Sequence, residues 1–153
     1  MTISLYSYLG NYFSGVGYMR ELFFHQQAQF TRSFKKKLNE KLAEAGLFHS
    51  QWLVIYCIKQ QQSVTLVEIS NYLDVEKPTI SRTVKRLEEQ GFIEDIASED
   101  KRARRIRLSS KGQEVFEHAQ EIVSHFEAEL VKHISDADLE IALKTIQKIK
   151  EKM

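Results

Sequence analysis

The 153-residue chain contains one cysteine, one proline and six glycines, and each scarcity removes a class of protein. A lone Cys57 rules out an internal disulfide framework and a cysteine-rich zinc site. So little proline and glycine excludes collagenous, linker-rich and β-turn-rich architectures. No apolar run approaches the ~20 residues that span a bilayer. Net charge is nearly absent as well. The 22 Lys and Arg oppose 21 Asp and Glu, leaving +1, a balance that by itself points to no nucleic-acid partner. Nor does the chain hold a Ser/His/Asp grouping, a glycine-rich phosphate loop or a paired-carboxylate motif, so it is not expected to be an enzyme or to carry a cofactor. The five histidines are scattered. Even His118 and His125, seven residues apart, lie two turns apart on a helix, too far to chelate one ion without further ligands, and no metal is expected.

With 42% hydrophobic and 28% charged residues, what remains is a soluble globular protein expected in the cytoplasm. Its length suits one domain that buries roughly 70% of its unfolded surface. Residues 1–18 stand apart as a leader, loose, packed as an arm or used for targeting. They lack Lys, Arg, Asp and Glu but carry Tyr6, Tyr8, Tyr12, Phe13 and Tyr18. Ser, Asn and Gly interrupt every apolar run there, unlike a secretory signal, and Met19 offers an alternative start. Residues 19–153 read as the domain itself.

The near-zero charge is a cancellation. Met1–Glu76 carries +1, Lys77–Lys111 carries +4 and Gly112–Met153 carries −4. Within the middle block, Lys101 to Lys111 holds six basic residues and no acid. Such a run is often only a solvated face, so its neighbours decide what it means.

Apolar residues at Phe23, Phe30, Phe34, Leu38, Leu42 and Ala45 predict an amphipathic helix from Arg20 to Ala45, ended by Gly46. Ser50 is the expected cap of a second helix, Gln51 to about Gln61. Thr65-Leu-Val-Glu68 fits a capping box that opens a short helix to Leu73. A further helix begins near Lys77 or Pro78 and stops at Gly91. The period then changes. Phe92, Ile93 and Ile96, and then Arg105 to Leu108, read as two strands around the polar turn Ser98-Glu99-Asp100-Lys101. Ser110 and Gln113 suggest a second capping box. A long helix follows with Val115, Ala119, Ile122, Phe126 and Leu130 on one face. Ser135 opens the last helix, striped by Leu139, Ala142, Leu143, Ile146 and Ile149.

The order ααααββαα gives a mainly α fold with a small β-hairpin wing. Two short helices joined by Asp74-Val75-Glu76, the second followed by a hairpin, describe a winged helix-turn-helix over residues 50–111. Residues 20–48 and 113–153 supply helices expected to dimerise. A recognition helix presents hydrogen-bonding groups near its N-terminus, where the major groove exposes donors and acceptors. Lys77, Pro78, Thr79, Ser81, Arg82, Lys85 and Arg86 occupy that stretch, with Ile80, Val84 and Leu87 on the inner face. Lys101, Arg102 and Arg104 fall at the wing, suited to the negative potential of a narrow minor groove. Asp100 is placed to brace Arg102 with a bidentate pair.

At this point the chain resembles the MarR family of bacterial transcription regulators, over roughly Arg20 to Met153. The resemblance rests on Gln51-Trp52, the run Leu73-Asp74-Val75-Glu76-Lys77-Pro78-Thr79-Ile80-Ser81-Arg82, and Leu87-Glu88-Glu89-Gln90-Gly91. It continues through Asp100-Lys101-Arg102-Ala103 to Leu108-Ser109-Ser110-Lys111-Gly112. It implies an obligate homodimer with interlocked first and last helices, two recognition helices in successive major grooves, and Arg102 as the wing arginine. The partner implied is a pseudo-palindromic double-stranded DNA operator, with the protein most simply a repressor. It also implies a small aromatic or phenolic effector, for which Phe24, Trp52 and Tyr56 are candidate lining residues, although the same aromatics more simply fill the core. Two departures stand out. Asp74 replaces the usual glycine, and Asp tolerates a left-handed turn better than most residues. Glu94 and Asp95 replace basic residues on the first wing strand, where they are expected to repel phosphate and leave DNA contact to the second strand. They also leave room for an alternative, a winged-helix protein-interaction module without specific DNA binding. Cys57, in the apolar run from Trp52 to Ile58, reads as a buried small hydrophobe; the family's peroxide sensors use an N-terminal cysteine that this chain lacks.

Overall fold

The computed structural model describes residues 16–97 and 104–153. Six helices and three strands follow in order: α1 Val16–Leu42, α2 His49–Gln61, β1 Val64–Thr65, α3 Leu66–Leu73, α4 Lys77–Glu89, β2 Ile93–Ile96, β3 Arg105–Leu108, α5 Ser110–Val131 and α6 Asp136–Lys150. The chain divides into two units, Met1–Lys37 and Leu38–Met153, with the boundary inside α1.

In the first unit α1 already includes Val16, ahead of the predicted Arg20. Its aromatic side chains meet along the helix: Phe23 packs edge-on to Phe24 at 5.4 Å and Phe30 stacks on Phe34 at 5.7 Å. Phe24 and Phe30 remain exposed.

The second unit holds the core. Leu38 and Leu42 of α1 are buried in it, and a 3-10 turn, Ala43–Ala45, then closes on Gly46 at φ +69. Only a residue without a Cβ adopts that conformation at no cost. The predicted cap Ser50 is a correction: α2 starts at His49, so Ser50 lies inside its first turn. The free amides are taken by two other side chains, one inside the helix and one from α1. Phe48 N–H donates to Gln51 Oε1 at 2.9 Å and His49 N–H to Asn39 Oδ1 at 2.6 Å. The box at α3 forms as its sequence predicts. Thr65 N–H donates to Glu68 Oε2 at 2.7 Å, and Glu68 N–H to Thr65 Oγ1 at 3.2 Å.

The sheet has three antiparallel strands in the order β1-β3-β2, one more than the hairpin predicted. Val64 pairs with Ile106 and Thr65 with Arg105 on one side of β3; Glu94 pairs with Arg107 and Ile93 with Leu108 on the other. Alternation buries Ile106 and Leu108, and these join Ile55, Ile58, Val64, Ile69, Val84 and Leu87 in one apolar core.

The box expected at Ser110 is a second correction. Ser109 is the cap: its Oγ accepts Gly112 N–H at 3.0 Å and donates to the Gly91 carbonyl at 2.6 Å, while Gln113 Oε1 accepts Lys59 Nζ at 2.6 Å. The apolar stripe of α5 also shifts. Phe116, Ala119 and Val123 are its buried residues besides Gly112, so only Ala119 is shared with the predicted face. Leu130 on that predicted face is exposed. Ser135 caps α6 as its sequence predicts, accepting Asp138 N–H at 3.1 Å. No residue of α6 is buried.

Candidate nucleic-acid interface

The turn between α3 and α4 depends on Asp74, which adopts the left-handed conformation at φ +52, ψ +48. Val75 N–H donates to the Ser70 carbonyl at 3.1 Å, and Ser70 Oγ donates to the Val75 carbonyl at 2.6 Å. These bonds fix where α4 begins, with Pro78 in its first turn, where a missing N–H costs nothing.

Helical periodicity then sorts α4 into two faces. Ile80, Thr83, Val84 and Leu87 are buried, and the one polar member is satisfied because Thr83 Oγ1 donates to the Thr79 carbonyl at 3.1 Å. Lys77, Pro78, Thr79, Ser81, Arg82, Lys85 and Arg86 are all exposed. Among the described residues, Lys77, Arg82, Lys85 and Arg86 have no acidic partner. A face that carries four open cations beside two hydroxyls suits a polyanion that also offers hydrogen-bonding groups.

The arginines of the sheet are placed differently. Arg104, next to β3 and on the same side as Ile106 and Leu108, reaches both Asp95 of β2, at 2.6 Å, and Glu88 in the last turn of α4. Arg107 faces its cross-strand neighbour Glu94 at 2.7 Å. Arg105 lies 3.4 Å from Glu68 and donates to the Ser63 carbonyl at 2.7 Å. The expectation that Glu94 and Asp95 leave DNA contact to the second strand therefore meets a different arrangement, because that strand's arginines are matched by acids. Local pattern does not reveal this, since Glu88 and Arg104 are sixteen residues apart; a hairpin register drawn through Glu94 and Arg107 is the signal that finds it. Asp100, Lys101 and Arg102 lie outside the described residues, as does the turn Ser98–Lys101.

The candidate effector residues fall in different units. Phe24 is exposed within the first unit. Trp52 is only 5% exposed and stacks on Phe116 at 5.5 Å, with Tyr56, half-buried, 5.8 Å away. Clefts of about 360, 470 and 290 Å³ in the second unit are lined by other residues. Cys57 is fully buried, and its thiol titrates above its ordinary range, chiefly because burial disfavours the thiolate and secondarily because of the Glu68 charge. Among the described residues no group of three or more His, Cys, Asp or Glu is placed to hold a metal ion, and no helix is long and apolar enough to cross a membrane.

Residues 47–103 match the family model described as the MarR family. An uncharacterised HTH-type transcriptional regulator of Bacillus subtilis (strain 168), YwoH, is 38% identical over 125 residues, covering 82% of this chain and 91% of that protein. Among solved structures, Staphylococcus aureus MarR in complex with salicylate and kanamycin is 29% identical, with a TM-score of 0.79 over 87% of this chain and 91% of that one. A MarR variant from E. coli complexed with operator DNA has the same fold at 21% identity, with a TM-score of 0.78 over 89% of this chain and 99% of that one.

Proposed function

The chain belongs to the MarR family of transcription regulators, and from that premise we propose that it is a sequence-specific double-stranded-DNA-binding repressor that acts as a cytoplasmic homodimer on a pseudo-palindromic operator. The observation that carries the reading is the contrast inside one small unit: the cations of α4 are open, whereas those of the sheet are matched. A family of transcription regulators gives no ground for an enzyme activity.

In this reading Arg82 reads guanine through O6 and N7, and Thr79 and Ser81 reach bases or phosphates near the helix start. Lys77, Lys85 and Arg86 contact phosphate and set register. Arg102, braced by Asp100 and flanked by Lys101, enters the minor groove. Salicylate on the Staphylococcus aureus relative supports a small aromatic or phenolic effector, with Tyr56 beside Trp52 as the candidate contact. Pairing of two copies falls to the exposed apolar residues of α1, α5 and α6, among them Phe30, Leu130, Ile141, Leu143 and Ile146. The alternative of a protein-interaction module drew on Glu94 and Asp95, and both have arginine partners within the chain.

The test is a gel shift with the DNA flanking the protein's own gene, between 50 and 200 mM salt. Binding is expected to fall steeply as salt rises, by counterion release. Arg82→Ala is expected to lose roughly 1–3 kcal/mol and to relax specificity at one base position. A flat salt response, or no effect of Arg82→Ala at physiological salt, overturns the reading.

A further inference from the structure

The acids of the first wing strand are the feature the DNA-binding reading leaves without a role. Glu94 and Asp95 hold Arg107 and Arg104, and Glu88 takes a second bond from Arg104. These pairs are open to solvent, with side-chain exposures of 29% to 61%, and pairs so exposed contribute little to stability. Their larger consequence is electrostatic. Each holds an arginine that would otherwise be free for phosphate, and Glu88 does so beside the open cations of α4, since it lies three residues, about one turn, beyond Lys85.

We propose that Glu94, Asp95 and Glu88 are internal counter-charges that keep Arg104 and Arg107 off the DNA backbone and so restrain sequence-independent binding. The proposal rests on the DNA-binding reading. Phosphate contacts carry affinity without sequence information. Suppressing them on the sheet leaves the contact to α4 and the wing tip, where bases are read, and widens the gap between operator and random DNA. Arg104 and Arg107 are then positioning residues: they tie the hairpin to itself and to the last turn of α4 rather than contacting DNA.

The experiment measures salt-dependent binding to operator and to random-sequence duplexes for wild type, E94Q, E88Q/D95N, the triple variant E88Q/E94Q/D95N, and the quintuple variant that adds R104Q and R107Q. Glu88 is included because it holds Arg104 together with Asp95. Two released arginines are expected to steepen the slope of log K against log salt by nearly 2, so that between 50 and 200 mM the triple variant loses about tenfold more affinity than wild type. At 50 mM it binds random DNA more tightly, its preference for operator falls, and the quintuple variant loses the added slope. Melting curves confirm that each variant is folded, and E94Q and E88Q/D95N each carry half the effect should the triple variant be unstable. A wild-type slope retained by folded acid-to-amide variants overturns the counter-charge role and leaves the DNA-binding reading intact. A wild-type protein that binds no duplex at 50 mM overturns that reading, and this proposal with it.

Discussion

Gly112 lies against Phe92 so closely that a Cβ at 112 would overlap the Phe92 carbonyl oxygen. The same carbonyl accepts Ser109 N–H at 3.0 Å, so backbone rather than a movable side chain fills the space. Gly112→Ala must therefore push the first turn of α5 away from the backbone at Phe92, just ahead of β2, and is expected to cost ~1–3 kcal/mol or more in urea unfolding. Gly46→Ala is the comparison. It meets nothing within 4 Å but sits at φ +69, so its cost should be limited to the left-handed backbone, ~1–2 kcal/mol.

Glu68 makes stability depend on pH. Its carboxyl is held below its ordinary range, first by the hydrogen bond from Thr65 N–H, with Arg105 adding a smaller contribution. The charged form is favoured in the folded state, so its stabilisation is present above the unfolded-state pKa of a glutamate and is lost as pH falls through the lower folded value. Glu68→Gln keeps an acceptor and removes the charge. The variant should melt below wild type at neutral pH, and the gap should close as the solution is taken below the usual carboxylate range. A gap constant from pH 7 to pH 3 would show that the charge contributes nothing.

Cys57 is expected to be inert in the folded protein. Burial excludes reagent and raises the thiol pKa, so both access and thiolate fraction are low. A chromogenic disulfide reagent at neutral pH should react at the rate of unfolding, and rapidly once denaturant is added. Peroxide treatment should leave DNA affinity unchanged; a fall in affinity reversed by dithiothreitol would contradict this.

Trp52 is a core residue whose ring stacks on Phe116. Trp52→Ala should cost ~3–5 kcal/mol, whereas Tyr56→Phe should be close to neutral, because Tyr56 is only half-buried. Equal losses from the two substitutions in thermal melts would refute the assignment.

Ile141 and Leu143 on α6 are 63% and 62% exposed. Replacing them with Glu should leave the chain folded and, on the proposed dimer, shift sedimentation at micromolar concentration toward monomer, because side chains so exposed lie outside the internal core. Unfolding of the variant at the same concentration as wild type, with no monomeric folded species, would instead mean that the folded state requires the partner.

Much of this arrangement is legible in the sequence where the cause is local. The Thr65–Glu68 box, the Ser135 cap and the buried Ile80, Val84 and Leu87 follow from spacing of three and four residues. Asp74 in the left-handed turn follows from its short polar side chain. What escapes is decided at a distance. A two-residue β1 is shorter than any periodic signal. Choosing Ser109 over Ser110 as cap requires knowing that Gly112 sits under Phe92. The stripe of α5 that faces inward is set by Trp52 on another helix, and the partners of Arg104 and Arg107 are set by the register of the sheet.

The pairing of Val64 with Ile106 joins residues about forty apart in the chain and encloses α3 and α4 between two strands of one sheet. The helix pair is thus a closed loop, clasped at its entrance by β1 and at its exit by β2, both hydrogen-bonded to β3. Closing a loop of that length costs chain entropy, which the contacts of the enclosed helix pair must repay. Once locked, neither helix can open without breaking the sheet. Amides at Val64 and Ile106 should therefore exchange with solvent only when the whole second unit unfolds.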